Sequence, residues 1–217
     1  MFLSTQELRR RMFDKKTPAK DRPLVTPVLD WPSQGKEGQA AIDLRLGQRF
    51  TVPRRSKLHV LDALSENRAS DLARYNDKTY VWMGDFFVLH PRQFVLGETL
   101  EWIHLPTSLA GFVTSRSSWG RDGLVIATAT GIHPGYSGIL TLELTNVAEI
   151  PISLYPGVAV AQLFLMEVSG TETTAVELSS FNLSTAPGTG DPADRDRNVM
   201  KELLRTRSNE LTESPDD

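Results

Sequence analysis

At 217 residues, with 24 Lys and Arg against 27 Asp and Glu and a formal net charge of −3 at pH 7, the chain has no whole-molecule positive field to attract nucleic acid or a membrane surface. It contains no cysteine, which excludes disulfides and thiolate zinc sites, and His59, His90, His104 and His133 lack the spacing of a metal-ligand set. No apolar run reaches the roughly 18 residues of a membrane span, and the N-terminal "MFLSTQELRRRMFDKK" lacks a signal peptide's apolar centre, so a cytoplasmic protein is expected.

Ser4 followed by Glu7 is a capping-box pattern, and Leu8 and Met12 make a short stripe, which predicts a helix over 4–13. A polar, proline-bearing stretch follows, and residues 1–37 read as an N-terminal helix and linker. From about residue 41 the period changes to alternation, with Ile42, Leu44 and Leu46 set against Asp43 and Arg45, the pattern of a strand. Turn residues then recur: Pro53, Gly84, Pro91, Gly97, Pro106, Gly111, Pro134-Gly135, Pro151 and Pro156-Gly157 cut residues 38–180 into many short segments. Such punctuation predicts one mostly β domain, a distorted barrel or jelly roll. The polar stretch 62–76 is the exception and suits a helix or an ordered insertion. Residues 181–217 read as a tail, Pro-, Gly- and Asp-rich at first, with a helix expected at about 194–209.

In "GILTLELTN", residues 138–146, a strand turns Leu140, Leu142 and Leu144 to one face and Thr141, Glu143 and Thr145 to the other. That places one carboxylate among small hydroxyls. Upstream, "TATGIHPGYSG", residues 128–138, forces a turn at Pro134-Gly135 and sets Tyr136 beside it. Further upstream, "TSRSSWGRDGL", residues 114–124, gathers Ser117 and Ser118 between Arg116 and Arg121. Hydroxyls, backbone amides and a guanidinium suit phosphate oxygens, an aromatic ring suits a sugar or base, and a strand-borne carboxylate can move a proton. Together they are the parts of a nucleotide site.

The segments "AIDLRLGQRF" (41–50), "FFVLHPRQFVLGETLEWIHLPTSLAGFVTSRSSWGRDGL" (86–124) and "HPGYSGILTLELTNVAEIPISLYPGVAVAQLFLMEV" (133–168) resemble the dCTP deaminases of the dUTPase-like superfamily. The resemblance implies a distorted β-barrel or jelly-roll subunit in a homotrimer with active sites between subunits. It implies hydrolytic deamination of dCTP to dUTP and ammonia without a catalytic metal, magnesium accompanying the triphosphate, and dTTP as a candidate inhibitor. By the same resemblance Glu143 is the catalytic glutamate that takes a proton from the attacking water. Ser118 and Arg121 hold phosphate, while Ser117 and Arg121 help place the water and the carboxylate. Arg116 is either a further phosphate ligand or one half of a structural ion pair. Tyr136 stands beside the deoxyribose, where it would reject ribose, and Ile132 and His133 stand beside the base and sugar. Gln162 and Asp43 are expected to be structural, Gln162 pairing with backbone and Asp43 pinning a strand end. Trp82, Trp102 and Trp119 are expected in packing or subunit contacts.

Three departures accompany the resemblance. The family segment reads like "TAGxIDPG" or "TAHRIDPG", whereas here it is "TATGIHPG", one residue shorter counted from the serine loop. His133 therefore stands where the superfamily has an aspartate tied to the sugar and to water activation for diphosphate release, and Gly131 or Ile132 replaces the bulky or basic residue beside the base. Beyond Phe181 there is no Tyr and no Gln, the residues of the family's closing tail, so Arg195, Arg197, Lys201, Arg205 and Arg207 are the substitutes on offer. These departures leave two other functions open: a non-catalytic or regulatory deoxynucleotide-binding relative, and a dUTPase-like diphosphatase.

Overall fold

Ser4 starts the first helix. In the computed structural model, which describes residues 1–54, 60–62, 65, 67–127, 131–169, 183–188 and 198–205, its Oγ accepts from the Glu7 N–H at 3.2 Å. This caps α1 (Thr5–Phe13), whose Leu8 and Met12 are buried one turn apart. The Glu7 carboxylate turns instead to Arg10 and Arg11, so only half of the capping box forms.

After α1 the chain runs through β1 (Leu24–Thr26), α2 (Trp31–Gln34), β2 (Ala41–Arg45), β3 (Arg49–Pro53), α3 (Arg68–Tyr75), β4 (Asn76–Tyr80) and β5 (Phe87–Leu89). It continues through β6 (Phe94–His104), β7 (Leu109–Ser115), α4 (Ser117–Arg121), β8 (Leu124–Ile126) and β9 (Gly131–Ile132), then β10 (Ser137–Asn146), β11 (Ile152–Leu154) and β12 (Ala159–Glu167). The mostly β class is as expected. The barrel is not: among the described residues the strands form a six-stranded sheet in the order β4-β3-β6-β10-β8 with β1 also on β6, a four-stranded sheet β2-β12-β7-β9, and a two-stranded sheet β11-β5. Just past β2, Leu46 bridges Thr99 of β6 and the Gly47 N–H donates to the Glu98 carbonyl at 2.7 Å, joining the two larger sheets at one corner, and no longer described ladder closes either on itself.

The two larger sheets share one core. Ile42, Leu44, Leu163, Leu165 and Val113 come from the four-stranded sheet, and Phe50, Val95, Ile103, Leu142 and Leu144 from the six-stranded one. These side chains occupy alternate strand positions, although β6 is buried on both faces from Val95 to Thr99. β2 is buried on both faces along its whole length, all five of its residues being buried. Asp43 and Arg45 therefore need polar partners inside the protein. Arg45 Nε donates to Glu101 Oε1 at 2.6 Å, its backbone N–H to Glu101 Oε2 at 2.9 Å, and Gln34 Nε2 to Glu101 Oε1 at 3.0 Å.

By internal packing the chain divides into one unit of Met1–Val52 with Lys78–Gly188 and a second of Pro53–Asp77 with Thr189–Asp217. The N-terminal residues belong to the first: Leu3 N–H donates to the Leu165 carbonyl at 2.9 Å, and Thr5 Oγ1 to the Lys36 carbonyl at 2.8 Å. In the second unit, the polar stretch after residue 62 holds α3, and the expected C-terminal helix is described over 198–205. Of the tail cations, Lys201 and Arg205 lie on that helix, while Arg195, Arg197 and Arg207 lie outside the described residues, as do Phe181 and His59.

Candidate functional site

Glu143 sits in the middle of β10, half-buried, between the fully buried Leu142 and Leu144. It pairs directly with Leu96 of β6, and its carbonyl accepts from the Ala127 N–H at 2.9 Å. The strand alternation predicted over 138–146 thus holds, with the leucines inward and Thr141, Glu143 and Thr145 on the other face. That face carries a second carboxylate that sequence reading missed. Glu98 pairs with Thr141 and so lies diagonal to Glu143, roughly 7–8 Å away by sheet geometry. Its Oε1 accepts from Arg49 Nε at 3.0 Å, and burial pushes its pKa up while Arg49 opposes the rise. In the sequence it is one of two glutamates in β6, beside Glu101, and nothing local distinguishes it.

The serine loop folds as the short helix α4, with Arg116 at its N-cap. Ser117, Ser118 and Arg121 are exposed, and the turn that follows requires Gly123, at φ 90° with its Cα packed against Ala148. Trp119 anchors the helix by donating from Nε1 to the Ala159 carbonyl at 2.9 Å. Arg116 is engaged: its Nη2 lies 3.5 Å from Asp43 Oδ2 and its backbone N–H donates to the Val160 carbonyl at 3.0 Å. Asp43 also accepts from Gln162 Nε2 at 3.0 Å. Gln162 thus pairs with a carboxylate where backbone was expected. The ion-pair alternative for Arg116 is therefore present in the structure, held against a buried aspartate.

The Pro134-Gly135 turn forms as expected. Tyr136 N–H donates to the His133 carbonyl at 3.2 Å, and Gly135 takes φ 78°. His133 is exposed, whereas the Ile132 side chain is 5% exposed and belongs to the core. What this position can offer a ligand is backbone. Tyr136 is partly buried, its hydroxyl donates to the Ile139 carbonyl at 2.5 Å, and burial pushes its pKa up to about 12. The ring is fixed by these contacts. Of the preceding segment, residues 128–130 lie outside the described residues.

Strand register shows which of these residues one copy brings together. β8 pairs Leu124 with Asn146 and Ile126 with Leu144, so α4 lies at one end of β8 and Glu143 beyond the other. Three strand residues separate Leu124 from Ala127, about 10 Å. Ile132 pairs with Gly111, four residues along β7 from Ser115, or about 13 Å. Ser117, Ser118 and Arg121 therefore form one group, Ile132, His133 and Tyr136 a second, and Glu143 stands at a third place. Of the tryptophans, Trp102 Nε1 donates to Ser137 Oγ at 3.2 Å, while Trp82 is 68% exposed.

The family model for dCTP deaminase-like proteins matches residues 2–168. A protein of Natronomonas pharaonis named dCTP deaminase is 37% identical over 169 residues, which cover 77% of this chain and 81% of that protein. One of Corynebacterium glutamicum named "dCTP deaminase, dUMP-forming" is 42% identical over 137 residues, covering 62% and 69%. The crystal structure of 2'-deoxycytidine 5'-triphosphate deaminase from Agrobacterium tumefaciens superposes with a TM-score of 0.56 at 22% identity, a likeness of fold. It covers 76% of this chain, which spans 46% of that longer protein. The chain belongs to the dCTP deaminase-like family.

Proposed function

We propose that the protein deaminates dCTP hydrolytically, giving dUTP and ammonia. The observation that carries this reading is Glu143: a half-buried carboxylate on the outward face of β10, in a chain whose family model spans residues 2–168. Water adds its oxygen to C4 of cytosine while Glu143 takes its proton and passes it to N3. A second proton, from the new C4 hydroxyl, then goes to the exocyclic amine, the C4–N4 bond breaks, and ammonia leaves behind a C4 carbonyl. Atoms balance with one water consumed, and such proton transfer contributes about 10²–10⁴ in rate.

Exposed Ser117, Ser118 and Arg121 on α4 suit the triphosphate, since hydroxyl donors and a guanidinium match phosphate oxygens. Arg116, already paired with Asp43, would serve phosphate by exchanging partners or by sharing its guanidinium between the two. Magnesium would be held by the phosphate oxygens and arrive with the nucleotide; among the described residues no group of three or more His, Asp or Glu gathers as a metal-ligand set. The separation of α4 from Glu143 along β8 matches the reach of one nucleotide from base to phosphates, and the resemblance to the dCTP deaminases supports a homotrimer in which a neighbouring subunit walls the site. His133 in the exposed turn supports a reaction that ends at dUTP, whereas the names of several relatives, among them those of Corynebacterium glutamicum, Halobacterium salinarum and Mycobacterium avium, include dUMP formation.

The test incubates the protein with each deoxynucleoside and ribonucleoside triphosphate in magnesium buffer and separates the products. Ammonia and dUTP from dCTP alone are expected. Tight binding of dCTP without turnover would favour the non-catalytic relative, and pyrophosphate from dUTP the diphosphatase.

A further inference from the structure

Residues 183–188 are seated on β10. Leu183 N–H donates to the Ser137 carbonyl at 2.6 Å, Ile139 N–H to the Ser184 carbonyl at 3.1 Å, and Gly188 N–H to Thr141 Oγ1 at 3.0 Å. The seat needs a glycine beneath it: a Cβ at Gly138 would lie 3.2 Å from the Ser184 nitrogen and 3.1 Å from the Tyr136 hydroxyl oxygen. Between the anchor points Ser184 Oγ donates to the Ala186 carbonyl at 2.7 Å, closing a small loop. Ala186 and Pro187 at its tip wall a cavity of about 210 Å³ whose other sides include Arg49, Thr51, Lys78 and Tyr80.

Register puts this cavity on the face that bears Glu143. Thr51 pairs with Leu96, and Leu96 with Glu143; directly paired residues share a face of a sheet. The cavity wall at Thr51 is thus two strand spacings from Glu143, roughly 9–10 Å. Thr141, two residues before Glu143 on the same strand, shares that face.

We infer that Thr141 is a positioning residue for the Glu143 site: its hydroxyl latches residues 183–188 at Gly188, and the latched segment closes the side of that face running toward β3. The positioning role rests on Glu143 as the reacting carboxylate. The latch does not. A substrate therefore meets Glu143 with one wall already in place, supplied by the same chain and fixed before any nucleotide arrives.

The experiment measures hydrogen exchange and steady-state kinetics on the full chain. Thr141→Val keeps the side-chain shape but removes the acceptor, so the Gly188 amide should exchange about five- to tenfold faster. KM for dCTP should rise by roughly fivefold or more with a smaller fall in kcat, as lost positioning of bound substrate predicts. Thr141→Ser should restore both, which a purely structural threonine would not require. Gly138→Ala unseats the other end through Ser184 and should reproduce the exchange change if the Val variant folds poorly. Unchanged Gly188 exchange in Thr141→Val overturns the latch. Faster exchange with unaltered KM and kcat overturns the positioning role. A wild-type chain inert toward dCTP removes the Glu143 reading and the positioning role with it, while exchange still decides the latch.

Discussion

Glu101 receives Arg45 twice, from Nε at 2.6 Å and from the backbone N–H at 2.9 Å, with the glutamate wholly buried and the arginine side chain 7% exposed. Burial pushes the Glu101 pKa up, and the Arg45 contacts oppose it. Glu101→Gln keeps the shape yet strands a buried guanidinium without a counter-charge, a loss of about 3–5 kcal/mol. At this chain length that corresponds to a fall in Tm of roughly 10 °C. Calorimetry of the variant checks it, and replacing both partners with apolar residues should recover much of the loss.

Glu98 gives a pH test. Its folded-state pKa is raised, burial being the main cause, so the folded form holds its proton more tightly than the unfolded chain. Its contribution to stability is present below the ordinary glutamate value of about 4.3 and is lost as pH rises through the raised folded value. Glu98→Gln should therefore gain on the wild type in denaturant midpoint as pH is raised from about 4 toward neutrality. Losing the partner of Arg49, whose side chain is 45% exposed, costs about 1 kcal/mol or less. A gap that does not change with pH would show that Glu98 titrates alike in both states.

Glu143→Gln retains size and hydrogen bonding but cannot accept a proton, so turnover of dCTP should fall by at least about a hundredfold with little change in nucleotide affinity. Arg121→Ala removes an exposed cation from α4 and should weaken both binding and turnover. Nucleotide titration beside a deamination assay separates the two signatures. Near-normal deamination by the Gln variant would end the proposed mechanism.

Local signals carried much of the fold and less of the site. Ser4 and Glu7 announce α1, and the Leu140, Leu142, Leu144 alternation announces both the strand and the outward face of Glu143, because both depend on residues a few positions apart. Sheet closure depends on register between distant strands, and turn punctuation carries no information about it; this is why the expected barrel resolves into separate sheets. The same limit explains β2. Its alternation suggests a polar face, yet Asp43 is buried against Gln162, 119 residues later, and Arg45 against Glu101, 56 residues later. Gln162 is structural, but no local pattern identifies Asp43 as its partner. Glu98 escaped notice for a similar reason, since only the β6–β10 register sets it diagonal to Glu143.

In solution the chain should be a trimer. The expectation rests on the resemblance to the dCTP deaminases, in which neighbouring subunits wall each active site; within one copy, α4 at the Leu124 end of β8 and Glu143 opposite Ala127 lie about one nucleotide's length apart. Light scattering across a concentration series gives the mass. A monomer that still turned over dCTP would contradict the shared site.

The reaction should stop at dUTP. By the resemblance, breaking the α–β phosphate linkage would use a water activated by an aspartate on the sugar side of the pocket, and at the matching position the exposed turn carries His133. An imidazole nitrogen is able in principle to act as a base. Its ring is longer than a carboxylate, however, and the segment leading to Pro134 is one residue shorter than the family pattern, so the ring is expected to sit away from the aspartate's position. A shift of about 1 Å is enough to cost on the order of a hundredfold in rate. Time courses with dCTP and separately with dUTP should therefore release ammonia from the first and no pyrophosphate from either, and His133→Asp should leave deamination intact. Stoichiometric pyrophosphate from the wild-type chain would mean that His133 does the aspartate's work, or that the aspartate's equivalent lies elsewhere in residues 127–133.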